Sequence, residues 1–430
     1  MGRRARREAR VVVVGAGFAG ASLIRNLPSA LRRPGETLLV DREDEYTFIP
    51  LIHEVAVGRV HPDSVRSPIP PLCSRRCGFL RSEATGVNLA RRRLETPSGE
   101  IDYEYLVLAA GSGAAQPPEK MAPHFQLFWT LEDALQLRGA LSAAWMEAVS
   151  RRPKREAGVL TVAIAGGGAT GVELAAEIAV LFRYLRQRTV RSPAVEPRVV
   201  LLEATGRLMG WLDAYFHDVA MEELARLGVE VRLNAAVEEA SEEGVRSGDE
   251  WLPAGIRVWA TGIEIPGLVR DLPGEHDPTG RVRVDAHLTL PEHPEVYVLG
   301  DAGLYEDPRR GPLSPTGSVA VQQGPWAARD LGRRLRNSAS RPPFDFFDRG
   351  YVVSLGPESA VAEALGVKLK GRAAHALYRS VLLYYLKNRR DRILTGADWA
   401  MERTIGRVGF DAVSRSGKPR TAAFSSGGRS

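Results

Sequence analysis

The amino-acid sequence predicts an α/β protein built from two Rossmann-like dinucleotide-binding domains. Two segments support this prediction, VVVVGAGFAGASLIRNL near the start of the chain and LTVAIAGGGATGVELAAEIA about 150 residues later. Each segment passes from apolar, largely β-branched residues through a glycine-rich turn into a helix-compatible stretch, which is the order strand, turn, helix. A third segment, EVYVLGDAG, is a further strand that ends in Gly-Asp.

Both glycine-rich turns fit the pattern G-x-G-x-x-G. In that pattern, backbone N–H groups of the turn and the N-terminus of the next helix can bind a pyrophosphate. Unrelated loops also contain glycine-rich turns, but the strand before and the helix after the motif disfavour that explanation. Both turns are therefore predicted to bind dinucleotides. The glycines that fit the pattern are Gly15, Gly17 and Gly20 in the first turn and Gly166, Gly168 and Gly171 in the second.

An acidic residue ends the strand that follows each motif. Asp41 ends TLLVD, and Glu203 follows RVVLL. An acid at this position can accept hydrogen bonds from the ribose hydroxyls of adenosine and would repel a 2′-phosphate. The sequence therefore favours NAD-type over NADP-type ligands.

Two dinucleotide sites in one chain suggest two different nucleotides. A redox enzyme can hold a flavin permanently while a nicotinamide cofactor binds and leaves. Asp301, in the Gly-Asp pair of EVYVLGDAG, could hold the ribityl chain of a flavin. Gly-Asp pairs are also common in ordinary turns, so this residue alone leaves both interpretations open.

The composition predicts a globular protein of two or three domains. A chain of 430 residues exceeds what one hydrophobic core usually supports, and its 44% apolar and 26% charged residues are ordinary for such proteins. No run of 18 or more apolar residues occurs, so no transmembrane helix is expected. The apolar stretch after the basic N-terminus contains the glycines of the first turn, which a signal peptide would lack, so a cytoplasmic location is expected.

The basic excess of the chain lies in its C-terminal region. From residue 346 onward there are 15 Lys/Arg against 7 Asp/Glu, while the whole chain carries a net charge of +6. No nucleic-acid-binding motif accompanies this charge, so a membrane surface is a better partner than nucleic acid, and ordinary solvated charge is the alternative. The segment EALGVKLKGRAAHALYRSVLLYYLKNRRDRIL is predicted to form a basic amphipathic helix, with apolar spacing at Leu377, Val381, Tyr384 and Tyr385. Packing of that helix on the first domain is its alternative.

Cysteine content excludes several classes of protein. The chain has only Cys73 and Cys77, in PPLCSRRCGF. A dithiol reductase would carry its redox pair in the helix where this chain has PLIHEVAVG, and one C-x₃-C pair is an incomplete zinc site. Two reduced, non-catalytic thiols and no metal site are therefore expected.

Seven segments resemble those of type II NADH dehydrogenases, the single-chain, non-proton-pumping NADH:quinone oxidoreductases of the two-dinucleotide-binding flavoprotein superfamily. The resemblance implies FAD as the resident cofactor, NADH as electron donor and a membrane quinone as acceptor. The segments cover roughly residues 11–336 and, in order, read GAGFAG, YTFIPLIHEVAVGRV, YLVLAAGS, GGGATGVELAAEI, VWATGI, VYVLGDAG and AVQQGPWAARDLGRRL.

The resemblance also implies a domain order in which the second Rossmann-like domain is inserted into the first. The FAD-binding domain would comprise residues 1–125 and 275–345, and the NADH-binding domain residues 126–274. Residues 346–430 would form an α-rich membrane-associating region that ends in a disordered basic tail. The protein would then lie peripherally on the inner face of the cell membrane, and a homodimer is left open.

The resemblance assigns roles to particular residues. Glu173 would lie near the nicotinamide and the flavin, although it could instead be a first-turn helix acid favoured by the helix dipole. The catalytic residues would be Glu173, Gln322 and Gln323, with Pro50, Leu51, Ser318, Gln322 and Gln323 as candidates for the quinone site. The cofactor-binding residues would be the six motif glycines, Asp41, Gly111, Glu203, Gly262, Gly300 and Asp301.

The chain departs from the family pattern at the quinone motif. The usual pattern is Ala-Gln-x-Ala-x-Gln-Gln, whereas this chain has GSVAVQQ, with Ser318 in place of the first glutamine. A smaller side chain there would enlarge or rewire the quinone pocket. His53 could donate a proton to the reduced quinone, and a structural histidine is the favoured alternative.

Three functions remain open from the sequence. The leading one is an NADH:quinone oxidoreductase at the membrane surface. The second is a soluble NADH-dependent reductase of a small electron-carrier protein or another acceptor, for which the basic region would be a docking face. The third is a regulatory protein in which bound nucleotides only control conformation.

Overall fold

The computed structural model describes residues 6–150, 158–189, 192–193, 195–386, 388–402 and 410. The disordered tail predicted for residues 414–430 lies outside these residues. The chain divides into two compact units. Unit 1 comprises Met1–Thr47, Arg66–Ala115 and Gly262–Gly350, and unit 2 comprises Phe48–Val65, Gln116–Thr261 and Tyr351–Ser430.

The strands are numbered along the chain. They are β1 Arg6–Val14, β2 Thr37–Asp41, β3 Glu45–Thr47, β4 Arg66–Pro68, β5 Gly78–Arg81, β6 Gly86–Asn88, β7 Arg93–Thr96, β8 Gly99–Leu108, β9 Gly113–Ala114, β10 Gln126–Leu127, β11 Thr161–Ala165, β12 Arg198–Leu202, β13 Val229–Arg232, β14 Glu239–Ala240, β15 Gly244–Ser247, β16 Glu250–Pro253, β17 Ile256–Trp259, β18 Ile263–Glu264, β19 Val282–Val284, β20 Thr289–Leu290, β21 His293–Val298, β22 Gly303–Asp307, β23 Gly311–Pro312, β24 Tyr351–Ser354, β25 Ala360–Ala364 and β26 Val367–Lys370.

The α-helices are numbered in the same way. They are α1 Phe18–Arg25, α2 Ile52–Ala56, α3 Pro70–Cys73, α4 Leu131–Ala148, α5 Ala169–Arg188, α6 Ala214–Leu227, α7 Gly267–Arg270, α8 Gly317–Leu335, α9 Gly371–Tyr385 and α10 Arg389–Glu402. Short 3₁₀ turns occur at Ser29–Leu31, Ile49–Leu51, Pro62–Ser64, Ala122–His124 and Gly300–Ala302.

Unit 1 is organised around an eight-stranded sheet in the order β20-β21-β8-β1-β2-β5, to which β7 and β6 are added beside β8. The pairs of β1 with β2 and β8, of β2 with β5 and of β8 with β21 are parallel. Val11 to Val13 of the central strand β1 are fully buried, as expected for a parallel strand covered on both faces. The first glycine-rich turn leaves the carboxyl end of this strand.

Unit 2 contains a five-stranded parallel sheet in the order β10-β17-β11-β12-β13. Helix α4 begins at Thr130, whose hydroxyl and backbone form a reciprocal capping box with Asp133. Helix α6 ends at Gly228, which has the left-handed backbone conformation that favours glycine at this position. The second glycine-rich turn connects the central strand β11 to α5.

Part of the predicted amphipathic helix is a β-hairpin. Strands β25 and β26 pair antiparallel and join β24 in a three-stranded sheet, and the helix begins only at Gly371. Leu365 and Gly366 connect the two strands with φ angles of +51° and +82°. Two successive residues with positive φ are typical of a tight hairpin turn, so the prediction of a helix over Glu363–Lys370 is wrong.

The mainly parallel sheet of unit 1, the parallel sheet of unit 2 and the C-terminal helices confirm the predicted α/β class with two Rossmann-like domains. The assignment of particular residue ranges to FAD and NADH stays a prediction. Within the described part of the chain, no helix has both the length and the apolar character needed to span a bilayer.

Candidate functional site

The first glycine-rich turn, between β1 and α1, leaves no room for side chains at two of its glycines. Gly15 has a φ of +95°, and a Cβ there would lie 2.3 Å from the carbonyl oxygen of Ala109. A Cβ on Gly20 would lie 1.9 Å from the carbonyl oxygen of Gly15. At Gly17, the N-cap of α1, a Cβ would meet no atom within 4 Å. The turn is closed toward the protein and open where a pyrophosphate would approach the helix N-terminus.

Asp41 holds this turn from the end of the neighbouring strand β2. Its Oδ2 accepts a hydrogen bond from the backbone N–H of Ala16 at 2.6 Å, and its Oδ1 accepts one from the N–H of Glu43 at 3.0 Å. The carboxylate therefore lies beside the turn, where an acid can bind ribose hydroxyls.

The second glycine-rich turn, between β11 and α5, repeats this arrangement in unit 2. Gly166 has a φ of +111°, and a Cβ there would lie 2.6 Å from the carbonyl oxygen of Ala260. A Cβ on Gly171 would lie 1.9 Å from the carbonyl oxygen of Gly166, whereas one on Gly168 would meet nothing within 4 Å. In both turns there is no room for a side chain at the first and third glycines of the motif, and there is open space at the second.

Glu203 occupies the place in unit 2 that Asp41 occupies in unit 1. Its Oε2 accepts a hydrogen bond from the N–H of Gly167 at 2.7 Å. Its Oε1 accepts hydrogen bonds from the N–H and the hydroxyl of Thr205, at 2.8 and 2.7 Å. In each unit, one carboxylate therefore accepts hydrogen bonds both from the glycine-rich turn and from the residue that lies two positions after it in the sequence.

The Gly-Asp pair of unit 1 forms a 3₁₀ turn with a buried carboxyl group. Asp301 accepts a hydrogen bond from the hydroxyl of Ser112 at 2.6 Å, and burial raises the pKa of its carboxyl group. Gly300 has a φ of +70°, and its N–H donates to Oε1 of Gln323 at 2.6 Å. Gly111 has a φ of +66°, and a Cβ there would meet no atom within 4 Å. These groups form a polar turn with open space beside Gly111, and their predicted contact with a ribityl chain stays a prediction.

Arg281 supports this turn and was not identified from the sequence. Its side chain is buried and donates hydrogen bonds to the carbonyl oxygens of Asp301, Gly303 and Leu313, at 3.2, 2.8 and 2.8 Å. The three acceptors lie 20 to 32 residues after Arg281, so the sequence offers no local signal for this role. Arg281 fixes the backbone within the Gly-Asp turn and after it.

The glutamine pair of α8 makes hydrogen bonds to backbone groups of unit 1. Gln322 donates from Nε2 to the carbonyl oxygens of Ser318 and Phe347, at 3.1 and 3.0 Å, and its Oε1 accepts from the N–H of Phe347 at 3.1 Å. Gln323 is buried and supports Gly300 as described above. Both amides fix the backbone around α8, and their predicted contact with the isoalloxazine ring stays a prediction.

The remaining predicted residues lie in two regions. Pro50 and Leu51 form part of a 3₁₀ turn in unit 2, and Leu51 is fully buried. Gly262 begins the last segment of unit 1 with a φ of +63°.

The thiols of Cys73 and Cys77 are free and buried in the core of unit 1. Among the described residues, no group of three or more His, Cys, Asp or Glu could hold a metal ion.

Glu173 lies in a buried polar cluster of unit 2. It is the fifth residue of α5, beyond the first turn, so the interpretation as a first-turn acid is wrong. Its side chain is 16% exposed, its Oε1 accepts a hydrogen bond from the N–H of Ser354 at 3.1 Å, and its Oε2 lies 3.7 Å from Nδ1 of His53. Burial raises the pKa of Glu173 to about 8, and the nearby carboxyl groups of Glu54 and Glu177 add to this effect.

His53 connects Glu173 to two residues that were not identified as functional from the sequence. Its Nε2 lies 3.2 Å from the hydroxyl oxygen of Tyr378, and that hydroxyl lies 3.4 Å from Oε1 of Glu54. Burial lowers the pKa of His53 to about 4, and the positive charge of Arg59 acts in the same direction while Glu54 opposes it. His53 is therefore a neutral imidazole at neutral pH.

Arg59 is the central cation of this cluster and is fully buried. It pairs with Glu177, lies 3.7 Å from Glu54, and donates from Nε to Glu402 of α10 at 2.9 Å. Burial alone would raise the pKa of Glu54, but the positive charge of Arg59 and the indole N–H of Trp399 at 2.7 Å keep it below its usual value. Glu54 is therefore a carboxylate held ionised inside the unit.

The profile of one protein family matches residues 9–324, which is well over half of the chain, and its description is pyridine nucleotide-disulphide oxidoreductase. The chain belongs to this family. As a member of the pyridine nucleotide-disulphide oxidoreductases it has the two nucleotide-type turns described above, while its two free cysteines lie outside them.

Curated relatives of this chain confirm the resemblance to type II NADH dehydrogenases. The chain is 29% identical to the type II NADH:quinone oxidoreductase Ndh of Mycobacterium tuberculosis, over 92% of this chain and 88% of the relative. It is 24% identical to a type II NADH:quinone oxidoreductase of Staphylococcus aureus, over 85% and 92% of the two chains. The structure of NDH2 from Plasmodium falciparum in complex with NADH matches with a TM-score of 0.81 at 16% identity, over 94% and 99% of the chains, and shows the same fold.

Proposed function

We propose that the protein is an FAD-dependent NADH:quinone oxidoreductase. The observation that carries this proposal is the pair of G-x-G-x-x-G turns, each in its own unit and each held by a carboxylate. The curated relatives named above are quinone-reducing enzymes, which supports a quinone as the electron acceptor.

The residues of unit 1 fit a bound FAD. Gly17 and Gly111 leave open space at the turn, Asp41 offers a carboxylate for the adenosine ribose, and Asp301 offers one for the ribityl chain. A bound flavin supplies two-electron transfer between a nicotinamide and a quinone. The task of the protein is then to bind, orient and, for quinone reduction, supply protons.

The residues of unit 2 fit NADH. The turn at Gly166–Gly171 would receive the pyrophosphate, and Glu203 would accept from the ribose hydroxyls while repelling a 2′-phosphate. Glu173 lies on the helix that follows this turn, and its raised pKa keeps a proton on its carboxyl group at neutral pH. It is our candidate for the acid that protonates the reduced quinone.

We also propose peripheral binding to the inner face of the cell membrane through α9 and α10. Tyr384 of α9 and Ile393 of α10 are 66% and 71% exposed, and Arg389 and Arg390 beside them are exposed as well. Apolar side chains flanked by cations are typical of helices that lie in the interface of an anionic bilayer. Lys387, which was predicted to belong to this flank, lies outside the described residues.

The central test follows the flavin absorbance of the purified protein without oxygen. One equivalent of NADH is expected to bleach the flavin, and a short-chain quinone is then expected to restore the absorbance. Bleaching without recovery would exclude the quinone as acceptor and direct attention to Ser318. If NADH does not bleach the flavin, the protein is not an NADH dehydrogenase.

Vesicle binding tests the membrane proposal separately. The double variant Tyr384→Asp/Ile393→Asp is expected to co-sediment less than the unchanged protein with vesicles that contain phosphatidylglycerol. Added salt should weaken the vesicle binding of both proteins. Leu365→Asp is the matched control, because Leu365 is 70% exposed but lies on the hairpin β25–β26. Equal loss of binding in both variants, or none in either, would argue against α9 and α10 as the membrane contact.

A further inference from the structure

Glu173, His53, Tyr378 and Glu54 form a line of polar groups whose two ends differ in charge. At one end, Glu54 is ionised because Arg59 and Trp399 stabilise its carboxylate. At the other end, Glu173 keeps its proton because its surroundings disfavour a charge. The two groups between them, a neutral imidazole and a phenol, can each donate one hydrogen bond and accept another.

The charged end determines the direction of the hydrogen bonds. An ionised carboxylate can only accept, and hydrogen bonds to charged acceptors are stronger than neutral ones, so the Tyr378 hydroxyl donates to Glu54. The oxygen of Tyr378 is then left to accept, and the only group facing it along the line is Nε2 of His53. A neutral imidazole carries one proton, so that proton lies on Nε2 and Nδ1 is an acceptor.

We propose that His53 and Tyr378 are positioning residues that keep Glu173 in its neutral, acidic form by fixing which nitrogen of the His53 ring carries the proton. With Nδ1 as an acceptor, the ring can accept a hydrogen bond from the protonated carboxyl group of Glu173. It has no proton on that side to donate to the carboxylate form. Among the described residues, an ionised Glu173 would keep only the hydrogen bond from the N–H of Ser354, and the ring could donate to it only if the His53 proton moved to Nδ1. That move would turn Nε2 into an acceptor that competes with Glu54 for the hydroxyl proton of Tyr378.

The proposal deepens the proposed function, on which the role of Glu173 as the acid for the quinone rests. The hydride of NADH supplies two electrons and one hydrogen of the quinol. A proton delivered from Glu173 to the other quinone oxygen forms the second O–H bond and leaves a carboxylate on Glu173. The fixed His53 ring then favours return of a proton to Glu173 from solvent before the next turnover. The 3.7 Å between Glu173 and His53 exceeds a hydrogen bond, and such distances often shorten when a substrate binds.

Other charged and titratable groups surround the line and remain the same in the variants used below. His375 stacks on the ring of Tyr378 with centroids 6.1 Å apart, and burial lowers its pKa to about 4. The remaining groups that contact or face the line are Arg59, Glu177, Arg379 and Glu402.

The test is a pH titration of the flavin-loaded, full-length protein by infrared spectroscopy. The carboxylic-acid C=O band of Glu173 is identified as the band that is missing in Glu173→Gln. In Tyr378→Phe the ring of His53 is no longer fixed and can donate from Nδ1 to the carboxylate. The midpoint at which the band disappears is therefore expected to fall by about one pH unit, the size of one hydrogen bond to a charged group.

A double variant separates this coupling from a general change in the cluster. In a His53→Leu background no ring can donate to Glu173, so adding Tyr378→Phe is expected to leave the midpoint unchanged. Tyr184→Phe removes a tyrosine hydroxyl from the same helix as Glu173 and is expected to retain the midpoint of the unchanged protein. An unshifted or raised midpoint in Tyr378→Phe, or an equal shift in the His53→Leu background, would overturn the proposal.

Activity provides an independent readout. The alkaline limb of the pH profile of kcat with a short-chain quinone should move to lower pH in Tyr378→Phe, in step with the infrared midpoint. The infrared titration uses neither NADH nor quinone. A shifted infrared midpoint in a protein that reduces no quinone would therefore refute the proposed function alone, and an unshifted midpoint in an active enzyme would refute this inference alone.

Discussion

Replacing Glu173 by glutamine should change how the stability of the protein depends on pH. Burial raises the pKa of this carboxyl group from an ordinary value of 4.5 to about 8. Below pH 4.5 it is protonated in both the folded and the unfolded chain. Between pH 4.5 and about 8 the unfolded chain ionises while the folded protein does not, so the contribution of Glu173 to stability is lost progressively as the pH rises.

The magnitude follows from the linkage between proton binding and folding. Each pH unit inside this window costs about 1.4 kcal/mol of the free energy of unfolding. Between pH 5.5 and 7.5 the unchanged protein should therefore lose about 2–3 kcal/mol more than Glu173→Gln, which has no proton to release. All other titratable groups are common to both proteins and cancel in the difference.

The assay is urea denaturation followed by circular dichroism at several pH values, with the difference between the two proteins plotted against pH. Glu242→Gln, which removes an exposed carboxyl group of unit 2, is the matched control and should retain the slope of the unchanged protein. Parallel pH profiles for the unchanged protein and Glu173→Gln would refute the reasoning, because Glu173 would then ionise equally in both states.

Three further predictions concern the nucleotide sites. Glu203→Ala should weaken NADH binding about tenfold, because it removes the acceptor for the ribose hydroxyls, and should reduce the ratio of the affinity for NADH to that for NADPH. Equilibrium titration with each nucleotide measures both effects. Gly171→Ala should abolish NADH binding, since its Cβ would lie 1.9 Å from a carbonyl oxygen, whereas Gly139→Ala on α4, where a Cβ meets nothing within 4 Å, should bind normally in the same titration. Arg281→Met should release FAD on dilution, seen as increased flavin fluorescence, because three carbonyl oxygens lose their donor, two of them in buried hydrogen bonds. Arg283→Met, which changes a more exposed side chain of β19, should retain FAD.

The nucleotide turns could be predicted from the sequence because every requirement on them is local. A glycine at Gly15 or Gly166 is demanded by a positive φ and by contact with a neighbouring strand, and the strand, turn and helix follow one another directly in the chain. The acids Asp41 and Glu203 were found for the same reason, since Asp41 ends β2 and Glu203 directly follows β12.

The supporting residues could not be predicted because their partners are distant in the chain. Tyr378 lies 325 residues from His53, and Trp399 lies 345 residues from Glu54. The sequence LIHEVAVGRV does contain a signal, since His53 and Glu54 interrupt an apolar run and such charged residues are buried only with partners. Identifying those partners requires the fold of unit 2.

The hairpin at β25–β26 was missed for a different reason. Its two strands are short, mix apolar residues with Glu363, Lys368 and Lys370, and are separated by one Leu-Gly pair, so they fit both a helical spacing and a tight turn. The distinction depends on positive φ angles at Leu365 and Gly366, and leucine rarely adopts that conformation. The other edge of β25 pairs with β24, so the hairpin is part of a three-stranded sheet rather than a helix.

The charges around Arg59 explain why the protein would keep Glu173 neutral. The described cations that act on the cluster are Arg59 and Arg379, and the carboxylates are Glu54, Glu177 and Glu402. The carboxylates already outnumber the cations, so another anion at Glu173 would be opposed by Coulomb repulsion as well as by burial. The proton is therefore held on Glu173, whose side chain is 16% exposed, whereas the side chains of Arg59, Glu54 and Glu177 are fully buried. This is the position from which a proton can pass to a substrate without opening the buried ion pairs beneath it.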